Sequence, residues 1–173
     1  MKPEVTKLTD EFSFIINLPV RNEWRNIDLL RTSVQNCFTA VFADLDGCHA
    51  VSMVTGELLE NALKYGDWRA DDPATVFRLR VMGGRGQVDV SVQNPVGGTD
   101  PGAKRLLDTL EWIKSQPSAE AAYRARMLQI AQSEDPMEPS KLGLVRIAYE
   151  GNCALRASVD DNNILTITAT LSL

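Results

Sequence analysis

One histidine and three cysteines among 173 residues leave metal and nucleophilic chemistry few side chains to use. A zinc site wants four nitrogen or sulfur ligands, and a histidine-based dyad wants its imidazole beside a hydroxyl or thiol. His49, early in a helical stretch, reads as a cap-region or core residue. Cys37, Cys48 and Cys153 are odd in number and sit in apolar settings. They read as buried reduced thiols, a cytoplasmic usage, not a disulfide frame. No apolar run approaches the roughly 20 residues of a membrane span. The first residues do not read as a signal peptide. A basic excess is also missing: the net charge of -5 argues against nucleic acid or an anionic membrane as main partner, but excludes neither a local basic patch nor a nucleotide pocket. With that charge, Trp24, Trp68 and Trp112 read as packing or interface residues rather than base-stacking platforms.

What is present is globular. A hydrophobic content of 44% and a charged content of 24% are ordinary for a folded domain. The length fits one domain over 1–173 with a real core, and no internal repeat, low-complexity tract or linker interrupts it. Phe12 to Leu18 reads as a first strand, stopped by Pro19. A helix follows from about Asn22 or Asn26 to Asp44, its apolar residues spaced by three and four. Asp46 is set to cap a second helix that ends near Gly66. Val76 to Val81 and the Val88, Val90, Val92 alternation give two strands around a Gly83-Gly84-Arg85-Gly86 turn. Arg78 and Arg80 share one strand face, either a solvated side or a partner surface. Helices are expected from Pro101 and from Ser118 to Gln132, the latter with Ser118 as cap and Glu120–Arg124 as an i,i+4 pair. A short helix, Val145 to Tyr149, precedes strands Cys153 to Val159 and Ile164 to Leu171, joined by a polar turn at Asp160 and Asp161. This order predicts an α+β two-layer sandwich with helices over one sheet face.

The second helix carries the unusual pattern. Glu57 and Asn61 stand four apart and so share a face, with Glu60 and Lys64 beside them. Val51, Val54, Leu58, Ala62 and Tyr65 flank that polar stripe on one side, Leu59 and Leu63 on the other. A polar stripe between two apolar flanks either lines a cleft or is a solvated surface with Glu60–Lys64 pairing.

Three elements stand in order: the Glu57/Asn61 helix, a strand ending in Asn94-Pro95, and the turn Leu142-Gly143-Leu144 before a short helix. This order resembles the GHKL ATP-binding family of gyrases, histidine kinases and anti-sigma-factor serine kinases, over most of the chain from Phe12 to Leu171. The tail from Asn94-Pro95 to Ala148 looks most like the SiaB-type protein kinases. The resemblance implies a Bergerat-type sandwich with a mixed, mostly antiparallel sheet. It implies ATP or ADP with Mg2+ as cofactors, Asn61 as Mg2+ ligand, and Glu57 as the catalytic carboxylate that polarises a water or hydroxyl. Such residue types suit the chemistry, since Mg2+ takes hard oxygens and a carboxylate accepts a proton. Asn94, Gly97, Lys141, Leu142, Gly143 and Leu144 would border the nucleotide. Lys64 would be a rim phosphate contact or a solvated charge.

Two boxes depart from the family pattern. Asp-x-Gly-x-Gly is replaced by Asn94-Pro95-Val96-Gly97-Gly98, so the acceptor for an exocyclic amine is an amide without charge assistance. Of Gly-x-Gly-Leu-Gly-Leu, only Gly143 keeps its place near phosphates at a helix N-terminus, and Lys141 replaces a glycine. Lys141 either offers charge to phosphates or fills their space. The expected activity is an ATP-dependent Ser/Thr protein kinase acting on a small regulatory, anti-sigma-antagonist-like partner in the cytoplasm, with neither nucleic acid nor membrane as partner. The alternative is a degenerate module that regulates by docking without nucleotide turnover. By the same resemblance, the first strand and helix are a homodimer surface.

Overall fold

Strict period-two burial builds the sheet. Phe77, Leu79 and Val81, then Val88, Val90 and Val92, then Leu165, Ile167, Ala169 and Leu171 are at most 1% exposed, while the residues between them on each strand are not buried. The structure, a computed structural model, describes residues 11–18, 24–41, 45–67, 77–84, 86–97, 101–132 and 142–172. Its elements run β1 (Phe12–Leu18), α1 (Trp24–Val41), α2 (Leu45–Tyr65), β2 (Phe77–Gly84), β3 (Gln87–Pro95), α3 (Pro101–Ser115), α4 (Ala119–Gln132), α5 (Leu142–Tyr149), β4 (Cys153–Val159) and β5 (Ile164–Ser172). The five strands order as β1-β2-β3-β5-β4. All four pairings are antiparallel, in line with the mostly antiparallel sheet expected but without any parallel pair.

The α+β two-layer sandwich forms because one sheet face is apolar and the other is not. α2 lies on β3 and β5 and against α5, with Val51, Val54 and Leu58 wholly buried; α1 packs on α2. The opposite face is a lateral hydrogen-bond ladder. Arg78 donates to Asn17 Oδ1 at 2.9 Å and Gln93 Oε1 at 3.2 Å, and Gln93 donates to Thr166 at 3.1 Å. Thr168 donates to Ser91 at 3.1 Å and Thr170 to Asp89 at 2.6 Å. Arg78 and Arg80 are exposed there, as on a solvated sheet side.

Local signals work where chemistry is local. Ser118 Oγ accepts the Ala121 N–H at 3.1 Å, capping α4, and Glu120 pairs with Arg124 at 2.7 Å. Asp160 Oδ1 accepts the Asn162 and Ile164 N–H groups, both at 2.9 Å, and Asn163 turns the chain at φ 58°. Three expectations change. β2 continues to Gly84, because the Phe12 ring covers Gly83 where a Cβ would collide with it. Cys37 is exposed, since α1 turns Val34 and Phe38 inward and Cys37 away. His49 is exposed too, so it is not a core residue; its Nδ1 lies 3.4 Å from Gln35 Nε2. Among the described residues no helix is long and apolar enough to cross a membrane.

Candidate functional site

α2 holds its polar stripe in place by what it buries around it. Leu58 and Leu59, adjacent in sequence and 0% and 2% exposed, fix the rotation of the helix, so that Glu57 and Asn61 are part-buried while Glu60 and Lys64 reach solvent. Glu57 and Asn61 lie on that stripe, and α5 is laid across them. A Cβ on Gly143 would stand 2.6 Å from Glu57 Oε2 and 3.7 Å from Asn61 Nδ2. A larger residue there would force the Glu57 carboxylate to move away from the α5 N-terminal turn. Helix α5 begins at Leu142, three residues before its expected start, and so includes Gly143 in its first turn.

The Glu57 carboxylate is 15% exposed and is gripped from α5 by Arg146, whose Nη1 donates to Oε1 at 2.6 Å. Arg146 also makes a forked contact with Glu150, with Nε and Nη2 each 3.1 Å from Oε2. Burial pushes the Glu57 carboxyl above its ordinary range, and the Arg146 guanidinium pulls it back. Glu60 and Glu150 add to the rise, and Arg31 opposes it. The hydrogen bond to Glu150 in turn holds Arg146 in its charged form. On the side of α2 that faces α1, Glu57 opens into a polar cleft of about 310 Å³ that also takes in Arg31, Gln35, His49, Glu60 and Arg146. Gly56 admits Arg31 to this cleft: a Cβ there would lie 2.9 Å from Arg31 Cδ.

The remaining residues named from sequence divide between β3 and the residues just after it, with Asn94 and Gly97, and the helices, with Lys64, Leu142 and Leu144. Asn94 sits on the core face of β3, wholly buried; its Nδ2 donates to Pro95 O at 3.1 Å and its Oδ1 has no partner. The end of α2 is tied to this strand end by Asp67 N–H donating to Pro95 O at 2.8 Å. Gly97 follows, half-buried. Lys64 is exposed, with its ammonium 5.6 Å from the Tyr65 ring. Leu142 is half-buried, and Leu144 is a core residue at 5% exposure. Lys141, Gly98 and Trp68 lie outside the described residues. Glu57, Asn61 and Gly143 are therefore brought together, whereas Asn94 and Gly97 stand at the far end of α2. Arg146, Arg31 and Glu150 join the site without having been singled out from sequence; the signal for Arg146 was its place one turn after Gly143 and four residues before Glu150.

Two orphan polar atoms test whether a magnesium nucleotide suits these residues. Asn61 Nδ2, a donor, and Asn94 Oδ1, an acceptor, are both buried without a hydrogen-bond partner; a phosphate oxygen would satisfy the first and an exocyclic amine the second. Among the described residues no three His, Cys, Asp or Glu side chains gather at one point. A site of one amide and one carboxylate matches Mg2+, which draws most of its ligands from phosphates and water. The residue types fit the group.

No family model and no curated protein matches the sequence. Among solved structures, the fold is similar to that of a chain in the crystal structure of the SiaB–SiaC complex from Pseudomonas aeruginosa. The TM-score is 0.61 over 92% of this chain and 89% of that chain, at 16% sequence identity. The chain thus shares its fold, along nearly all of both lengths, with a protein of the SiaB–SiaC complex.

Proposed function

We propose that the chain is a cytoplasmic regulatory protein that binds ATP with Mg2+ and phosphorylates a serine or threonine of a small partner protein. The observation that supports it most is the α5 N-terminal turn lying on Glu57 and Asn61, with Gly143 where a Cβ would stand 2.6 Å from the carboxylate. Bound ATP would supply the phosphoryl group and Mg2+ the charge neutralisation that such transfers need. Glu57 accepts the proton of the attacking hydroxyl. Asn61 offers an amide oxygen to the cation, and Gly143 lets backbone approach phosphate oxygens. Asn94 Oδ1, free of any partner, accepts an exocyclic amine. A partner protein is in keeping with the structural neighbour, which was solved as a complex.

The test is thermal unfolding with and without ADP and Mg2+. Ligand at 100 times Kd stabilises by about 2.7 kcal/mol, which raises the Tm of a chain this size by roughly 5–10 °C. A Tm unmoved at millimolar nucleotide removes the proposal. A second reading, docking without turnover, is favoured by one observation: Glu57 is already bonded to Arg146. That reading expects no thermal shift, and partner binding that survives Glu57→Gln.

A further inference from the structure

Arg146 has three bonding directions in use, and their arrangement is informative. Glu150 takes two of them, from Nε and Nη2, across one turn of the same helix. A guanidinium is planar and rigid, so a fork held on one edge fixes the direction of the remaining nitrogen. That nitrogen, Nη1, meets Glu57 Oε1 at 2.6 Å. A glutamate carboxylate otherwise turns broadly about its last torsion. Gripping Oε1 leaves Oε2 a single direction, toward Gly143 at the start of α5, where the absence of a Cβ leaves room for it.

Arg31 does not share this role. It enters the same cleft from α1 across Gly56, but its hydrogen bond is to Asp28, at 3.0 Å on the exposed side. Arg31 therefore adds charge near Glu57 without aiming it. Among the described residues, Glu60, on α2, is the remaining charged group beside the carboxylate.

We propose that Arg146, braced by Glu150, is the positioning residue of this site: it turns the Glu57 carboxylate so that Oε2 faces the N-terminal turn of α5. The proposal rests on the reading of Glu57 as proton acceptor and names the residue that aims it. The pairing also joins α5 to α2, so Arg146 variants are checked for a native circular dichroism spectrum first.

The experiment has two arms. In crystals of the nucleotide-free protein, wild type shows Glu57 in one rotamer, and Arg146→Gln shows it in two or more. A single unchanged rotamer in Arg146→Gln overturns the proposal. The second arm uses γ-labelled ATP with Mg2+ and water as acceptor, so no partner protein is needed. Arg146→Gln is expected to lower kcat by about 10–100-fold, the usual consequence of a misaimed group. Its Kd for ADP with Mg2+ stays within about twofold of wild type. Arg146→Lys, which keeps one bond to Glu57, recovers part of the rate, and Glu150→Gln falls between wild type and Arg146→Gln. Unchanged or faster hydrolysis in Arg146→Gln would make Arg146 a brake, and parallel loss of rate and nucleotide affinity would make it a nucleotide ligand; either result refutes the proposal. If wild type binds no ADP, the proposed function fails, and the rotamer arm alone decides whether Arg146 aims Glu57.

Discussion

At the scale of single residues, the three cysteines separate cleanly. Cys37 is exposed on α1, Cys48 is 2% exposed in α2, and Cys153 is buried with its thiol directed to Gly151 O at 3.1 Å. Burial pushes the Cys153 thiol up from 9.0 to about 12. Because the folded pKa is raised, the folded chain keeps a proton that the unfolded chain releases. This contribution to stability is whole below pH 9 and is lost as pH climbs toward 12. A disulfide reagent at pH 8 should therefore label one thiol quickly, and Cys37→Ser should abolish the fast phase; two fast thiols would contradict the burial. From sequence, all three look alike, since apolar neighbours do not tell which way a helix turns a side chain. The Glu57/Asn61 pair was legible because helical spacing is a local property. The Arg146–Glu57 contact was not, because 89 residues separate the two, and the local i,i+4 spacing points Arg146 only to Glu150.

Among the elements, α2 is the one that joins the layers, touching α1, α5, β3 and β5. Leu58 is wholly buried against the sheet, whereas Leu128 on α4 is 62% exposed. Leu58→Ala is expected to cost about 2–5 kcal/mol in urea unfolding, and Leu128→Ala less than about 0.5 kcal/mol. Similar losses for both would mean that α2 does not seal the core. The strands were readable to within a few residues, because alternation is a two-residue signal and the two hairpin turns are marked by glycines at 83–86 and by aspartates and asparagines at 160–163. The start of α5 was less so. Leu142-Gly143 reads as turn by composition, yet Leu144 and Val145 are both buried, and placing both inward requires the helix to begin earlier. Tertiary packing overrides the poor helix propensity of glycine in that first turn.

For the whole molecule, one cluster of buried residues takes in α1, α2, β2, β3, α3, α5, β4 and β5. A shared core predicts a single cooperative transition: urea curves followed by far-ultraviolet circular dichroism and by tryptophan fluorescence should coincide, and a second step would divide the chain into two units. The layered architecture followed from element order alone. The fully antiparallel pairing did not, because the resemblance carried a mixed sheet with it while strand partners depend on contacts between residues more than 70 positions apart, such as Gln93 with Thr166. The strand order has a consequence for synthesis. β5 is the last of the five strands to leave the ribosome, yet it belongs between β3 and β4. Until it arrives, the valine-rich β3 presents an open edge of unpaired amides and carbonyls, and β4 has no neighbour. The nascent chain thus carries a sticky edge from the emergence of β3 until β5 is made, and that fifth strand completes the sheet in a single insertion.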